Sequence, residues 1–238
     1  MNTQPNWRRI QGIVLDAVGT LIKPTPSVAA AYTDAAARQG IELNPDEVRG
    51  RFNAAFGDDL VQGADGVLST DESVERRRWR AIVGRVLPEV PDPDRAFDEL
   101  WGHFGRPESW SVFPDAVPAV EAIREAGMRV CIGSNFDARL HVVVAGLPEL
   151  SASVRDIVVS SEVGYRKPHG LFFKAACQRL GLPPERVLSV GDDLENDVLG
   201  ARRAGLWALH LTRRGERPAD PANVPDLSAL AVLRGAEA

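Results

Sequence analysis

Five short apolar runs recur along the chain: IQGIVLD at 10–16, MRVCIGSN at 128–135, VRDIVVSS at 154–161, RVLSVGDD at 186–193 and LWALHLT at 206–212. Each is rich in Val, Ile or Leu and lacks alternation of polar and apolar positions. That is how strands covered on both faces of a parallel sheet read. Helical patterns separate them. Residues 115–127 and 170–181 each close on a glycine suited to a helix C-cap, and 193–205 reads as a third helix of similar length. Strands alternating with helices of about ten to fifteen residues predict βαβ units, hence an α/β fold with a doubly wound parallel sheet and a Rossmann-like core.

The stretch 24–112 breaks this rhythm. It has no strand-like run and holds four helical segments, 27–39, 45–56, 70–87 and 94–104, joined by turns such as QGADG and PEVPDPD. The expected organisation is therefore an α/β core of residues 1–23 and 113–238 with a helical domain, 24–112, inserted after the first strand. The insertion carries ten basic against sixteen acidic residues and so holds the net negative charge. Beyond about Gly215 the chain reads as a Pro-rich connection and a final short helix.

Composition narrows the function classes. Hydrophobic residues make up 44% of the 238 and charged residues 26%, the profile of a folded globular protein. A net charge of −5 excludes a basic nucleic-acid footprint. No apolar run approaches the ~20 residues of a membrane span, and the N-terminal stretch shows no signal-peptide core. Cys131 and Cys177 lie in apolar segments and are expected to be reduced thiols. A cytoplasmic protein acting on a small molecule, without a nucleic-acid or membrane partner, is expected. Oligomeric state has no signature here.

Ligands of an open parallel sheet bind at the carboxyl ends of its strands. The first run delivers Asp16, followed by Ala17, Val18, Gly19, Thr20 and Leu21. The second delivers Gly133, Ser134 and Asn135. The third is followed by a loop with Arg166, Lys167 and Pro168, and the fourth delivers Gly191, Asp192 and Asp193, with Asp197 just inside the next helix. Singly, Asp16, Ser134 and Asp193 are ordinary helix N-caps and Lys167 an ordinary surface lysine. Together they place carboxylates, a hydroxyl and an ammonium on one sheet edge. Lysine occurs only at 23, 167 and 174 in a chain with 25 arginines, which adds weight to the one at 167.

Four pieces resemble the four motifs of the haloacid dehalogenase superfamily: DAVGTL at 16–21, Ser134, the pair Lys167 and Pro168, and GDDLEND at 191–197. The helical insertion is similar to that superfamily's C1 cap. The resemblance implies a hydrolase in which Asp16 is the nucleophile, forming an aspartyl-phosphate. It implies that Thr20 hydrogen-bonds near the nucleophile, that Ser134 holds a transferring oxygen with Asn135 beside it as a substrate-binding residue, and that Lys167 offsets negative charge. Mg²⁺ would be held by Asp16, the main-chain carbonyl of Val18, Asp192 and Asp197, with Asp193 able to assist.

The pattern departs at one position. The superfamily's phosphatases carry a second Asp two residues after the nucleophile as general acid and base, and here Val18 stands there. Loss of such a group costs about 10²–10⁴ in rate. A metal-independent 2-haloacid dehalogenase, whose leaving halide needs no proton, is one alternative. A phosphate-binding or regulatory protein with little turnover is another. The acidic fourth motif favours the phosphatase, because metal ligation accounts for all its carboxylates at once. His169 is the histidine nearest the motifs. Trp79, Trp101 and Trp110 are expected in the core of the insertion, and Arg76, Arg77, Arg78 and Arg80, offset by Asp71, Glu72 and Glu75, on a solvated helix face.

Overall fold

In the computed structural model, which describes residues 7–62, 68–213 and 222–230, the first apolar run becomes strand β1 (Gly12–Leu15), buried throughout. A short strand β2 (Ile22–Pro24) leads into four helices: α1 (Val28–Ala37), α2 (Pro45–Gln62), α3 (Glu72–Val86) and α4 (Pro93–Phe104). Strand β3 (Trp110–Val112) returns the chain to the sheet. There follow α5 (Ala116–Glu125), β4 (Arg129–Ser134), α6 (Arg139–Ala145), α7 (Pro148–Ser151), β5 (Asp156–Val159), α8 (Ser160–Val163), α9 (Gly170–Leu180) and β6 (Val187–Gly191). A π-helical turn, Leu194–Leu199, runs into α10 (Gly200–Arg203), then β7 (Trp207–Leu211) and β8 (Asn223–Val224).

The six-stranded sheet has the order β5-β4-β1-β6-β7-β8, and every adjacent pair is parallel. Connections run from β1 towards β4 and β5, then cross to β6 on the other side. The strand order therefore reverses beside β1, and a crevice opens at the carboxyl ends there. One face of the sheet packs Leu15, Ile132 and Val190 against Val120, Ile123 and Val143 of the helices α5 and α6. The other packs Val14 and Cys131 against Phe172, Phe173 and Ala176 of α9. The expected α/β architecture is thus present, with all five apolar runs as strands.

Helices α1 to α4 build a separate apolar cluster, centred on Tyr32, Ile82, Val83 and Phe97. Three are capped from their own sequence: Ser27, Asp71 and Asp92 accept from the main-chain N–H groups of Ala30, Val74 and Arg95. Among the described residues no helix is long and apolar enough to cross a membrane. Both cysteines are buried free thiols.

The structure departs from the sequence expectation at five places. The insertion is not strand-free at its ends, because β2 and β3 pair as an antiparallel ribbon with Ile22 opposite Val112 and Pro24 opposite Trp110. Three-residue strands joined across the whole insertion leave no local pattern. Helix α2 runs on to Gln62 rather than ending near Phe56. The stretch 193–205 begins as a π-helical turn, and the Pro-rich connection contains β8, which pairs Asn223 with His210 of β7. Residues 227–230 form a 3-10 turn, and the remainder of the expected final helix lies outside the described residues.

Candidate active site

Asp16 follows β1 directly, and its main-chain N–H donates to the Val190 carbonyl at 2.9 Å, as if the strand continued one residue further. Its carboxylate is buried at the crevice floor, 8% exposed for the residue. The Lys167 ammonium sits beside it. Its Nζ donates to Asp16 Oδ1 at 2.8 Å, to Asp197 Oδ1 at 2.5 Å and to the Gly133 carbonyl at 2.9 Å, so all three of its protons have acceptors. Asp192 completes the group: Asp16, Asp192 and Asp197 each offer a carboxylate oxygen, all within 4.8 Å of one another.

Two glycines make room for these acids. A Cβ on Gly19, whose φ is +92°, would lie 2.2 Å from Asp192 Oδ2. A Cβ on Gly191 would lie 2.2 Å from Asp197 Oδ2. The far oxygen of Asp197 accepts from the main-chain N–H of Asp193 at 3.1 Å. The Asp193 carboxylate itself caps the π-helical turn, accepting from the N–H groups of Glu195 and Asn196 at 3.0 and 2.9 Å. Its expected capping role is therefore realised, and its two oxygens are committed to residues 195 and 196.

The electrostatics are those of a site short of positive charge. Burial raises the Asp197 carboxyl to about 7, with Asp16 adding to the rise and Lys167 opposing it. Asp192 rises to about 6, first through the low-dielectric walls around it and then through Asp197. Asp16 is raised too, by burial and by Asp192 against the pull of Lys167. Burial works against the charge on Lys167, yet Asp16 and Asp197 hold its pKa above the usual lysine range. One ammonium faces three carboxylates. An all-oxygen donor set with two uncompensated negative charges fits a hard divalent cation.

The remaining expected residues divide. Ser134 is buried at the end of β4 and lines the cavity above Asp16. Val18 is 36% exposed and lines it as well. Asn135 also reaches the cavity, but its amide is committed elsewhere: Nδ2 donates to the Lys167 carbonyl at 2.9 Å and Oδ1 accepts from the Lys167 N–H at 2.7 Å. Asn135 thus ties the end of β4 to the main chain of Lys167 while it borders the cavity. Thr20 is fully buried and its hydroxyl has no hydrogen-bond partner among the described residues, so the expected bond near the nucleophile is not made. Its carbonyl instead accepts from Arg213 Nη2 at 2.6 Å. His169 caps α9 and stacks on Tyr165, away from the crevice lining.

Several site residues carried no sequence signal. Arg213, just after β7, reaches across to the Gly19 and Thr20 carbonyls and is held by the Asp115 carboxylate at 2.8 Å, clamping the turn that follows Asp16. His210, not His169, lines the cavity, and its Nε2 lies 3.2 Å from the Asp192 carbonyl. Arg78 and Glu75 are not on a solvated face: their side chains are 8% and 1% exposed and pair at 3.0 Å. The reason is that the segment before α3 is stitched to the loop before Lys167. Thr70 N–H donates to the Gly164 carbonyl and Arg166 N–H to the Leu68 carbonyl, at 3.0 and 2.9 Å. Trp79 and Trp101 are half-buried and line a cavity of about 790 Å³ between helices and sheet, while Trp110 belongs to the core around β1. A signal was available for Arg78 in hindsight only, as the one arginine of its run at the helical spacing that meets Glu75.

Residues 10–205 match the family described as haloacid dehalogenase-like hydrolase. Over 212 residues the chain is 28% identical to haloacid dehalogenase-like hydrolase domain-containing protein 3 of Danio rerio, covering 86% of each. It is 28% identical over 236 residues to a phosphoserine phosphatase of Thermus thermophilus, covering 90% of this chain and 93% of that one. Among solved structures, the L-2-haloacid dehalogenase from Xanthobacter autotrophicus aligns with a TM-score of 0.72 at 21% identity, covering 96% of this chain and 100% of the other, a likeness of fold alone.

Proposed function

The chain belongs to the haloacid dehalogenase-like hydrolases, and on that premise we propose that it is a Mg²⁺-dependent phosphatase of small molecules acting through an aspartyl-phosphate on Asp16. The observation that carries this reading is the convergence of Asp16, Asp192 and Asp197 within 4.8 Å around a single ammonium. Halide displacement from carbon has no use for that many acids. Mg²⁺, held by those three carboxylates and the Val18 carbonyl, would supply positive charge beside the transferring phosphoryl group.

The chain's own residues do the rest. Lys167 holds Asp16 Oδ1, which leaves Oδ2 to attack phosphorus and expel the alcohol oxygen. Ser134, on the cavity wall at the end of β4, receives a phosphoryl oxygen, and Asn135 keeps Lys167 in place through its main chain. Water then attacks phosphorus, the bond to Oδ2 breaks, and phosphate leaves. Val18 transfers no proton in either step, so turnover of esters with basic alkoxide leaving groups is slow. Helices α1 to α4, residues 24–112, act as the cap that closes over the crevice.

One observation favours a second reading. Valine faces the cavity where a carboxylate would serve a phosphatase, and a 2-haloacid dehalogenase needs none: Asp16 would displace halide from carbon and water would cleave the resulting ester. Release of phosphate from 4-nitrophenyl phosphate and of chloride from 2-chloropropionate, each with Mg²⁺ and with EDTA, separates the two. The phosphatase reading expects Mg²⁺-dependent phosphate release that disappears in Asp16→Asn. Chloride release unaffected by EDTA, with no phosphate release, would replace it by the dehalogenase reading.

A further inference from the structure

The cavity above Asp16 has walls of two kinds. At the floor are the acids and Lys167. Among the described residues, everything the four helices contribute above it is aromatic or aliphatic apart from Arg78 and the Tyr32 hydroxyl. Each helix presents residues four apart: Phe52 and Phe56 from α2, Trp79 and Val83 from α3, Phe97 and Trp101 from α4. The rings are packed against one another rather than scattered. Phe52 and Phe56 stack at 5.7 Å, and Trp79 lies 6.5 and 6.0 Å from them. Yet Phe52, Phe56, Trp79 and Trp101 are only half-buried, because their remaining faces look into about 790 Å³ of space. A cavity of this size, its floor polar and its helical wall apolar, exceeds what a phosphate group or a three-carbon body fills.

The two cations beside the rings bring their own counter-ions, while Lys23 at the cavity's edge lies 5.4 Å from the Phe113 ring centroid. The Arg78 guanidinium meets Glu75 at 3.0 Å and lies over the Phe56 and Trp79 rings. Arg139 forms two bonds to the Asp137 carboxylate, at 2.7 and 2.6 Å, and stacks on Trp101 with 3.3 Å to the ring centroid. A second anionic group seated among the rings would have to compete with these buried carboxylates. Hydroxyls of a sugar or glycerol body would leave water for a wall that offers few partners, at a cost that apolar groups avoid.

We propose that the substrate is the phosphate monoester of an uncharged, largely apolar alcohol, an aryl or arylalkyl body being the best fit, with the body seated among Phe52, Phe56, Trp79 and Trp101. The proposal rests on the phosphatase reading above for its phosphate group and goes beyond it in the body attached. Hydrolysis returns the apolar alcohol and inorganic phosphate: the alkoxide expelled by Asp16 takes its proton from solvent water, and in the second step the attacking water gives its oxygen to phosphorus and a proton to solvent.

The test compares esters that make equal demands on the leaving group, all being phosphates of primary alcohols: 1-naphthylmethyl phosphate, benzyl phosphate, glycerol 1-phosphate and phosphoserine. With the full chain and Mg²⁺, kcat/KM is expected to fall in that order, the naphthylmethyl ester exceeding glycerol 1-phosphate by roughly a hundredfold through buried apolar surface. Equal or better turnover of glycerol 1-phosphate or phosphoserine overturns the proposal and leaves the phosphatase reading standing. Binding of two inert analogues, 1-naphthylmethylphosphonate and 2,3-dihydroxypropylphosphonate, is followed in parallel through tryptophan fluorescence. If none of these alkoxide esters is turned over, release of phosphate from 4-nitrophenyl phosphate decides the phosphatase reading, and the phosphonates decide the chamber. Tighter binding of the naphthyl compound by roughly tenfold or more supports it, whereas equal or undetectable binding overturns it.

Discussion

Replacing Lys167 by methionine, which keeps the length of the side chain and removes its charge, should show how the crevice is held together. In the wild type the ammonium bonds to Asp16, Asp197 and the Gly133 carbonyl with its side chain only 4% exposed. Its loss leaves two buried carboxylates facing each other, and breaking a buried ion pair from one side costs about 3–5 kcal/mol. Part of that is recoverable, because a proton can take the ammonium's place between the acids. Asp197 is already raised to about 7 with Lys167 present, and rises further without it. A carboxyl whose folded pKa is raised contributes stability that is complete below its unfolded value near 4 and lost as pH climbs through the folded value. The variant holds more protons than the wild type around neutrality, so its deficit grows with pH. In EDTA, urea unfolding followed by circular dichroism should give a deficit of about 3 kcal/mol at pH 8 and a smaller one at pH 5.5. For a chain of this size that corresponds to a Tm lowered by roughly 6–12 °C at the higher pH. Equal stability at pH 8, or a deficit independent of pH, would refute the reasoning.

Three further outcomes are expected. Val18→Asp should raise kcat/KM for alkyl phosphates by up to ~10²–10⁴ while changing that for nitrophenyl esters much less, and a slower variant on both would mean that another group already carries the proton. Gly19→Ala, forced against the Asp192 carboxylate at a φ of +92°, should cost roughly 1–3 kcal/mol in unfolding and weaken any Mg²⁺-induced rise in Tm, and a variant indistinguishable from wild type in both would remove the argument for that glycine. Asp115 is opposed by burial but held below the usual carboxylate range by its bonds to Arg213 and Leu227. Its stabilisation is therefore present above pH ~4 and lost as pH falls below that, so Asp115→Asn should cost about 1.5–3 kcal/mol at pH 7 and flatten the acid limb of Tm against pH.

The sheet was legible because each strand is buried on both faces and so reads as an unbroken apolar run. The short strands were not. Asn223 and Val224 pair with β7 through two residues inside a Pro-rich segment, and the ribbon of β2 and β3 joins residues on opposite sides of the insertion, so neither has a local period to betray it. The floor of the site was legible because a parallel sheet delivers strand ends to one edge: Asp16, Ser134, Asp192 and the loop lysine meet where that rule puts them. The walls were not. A ring that lines a cavity and a ring that fills a core obey the same spacing on a helix, and Phe52 and Trp79 differ from Phe172, which fills the core against the sheet, only in what lies opposite them. The histidine of the crevice was not legible for a related reason. His169 is near the motifs in sequence, but its ring is engaged in capping α9, while His210 comes to the crevice at the end of β7.

The central claim is that Asp16 takes the phosphoryl group, and it is open to direct capture. A Mg²⁺ reaction with a turned-over phosphate ester would be quenched in the steady state and treated with borohydride, which reduces an acyl phosphate to the alcohol. Mass spectrometry of the digested chain should then find the side chain at position 16 reduced to that of homoserine, and no such change at Asp192, Asp193 or Asp197 or when the ester is omitted. An unmodified Asp16 during turnover, together with undiminished phosphate release by Asp16→Asn, would contradict the account.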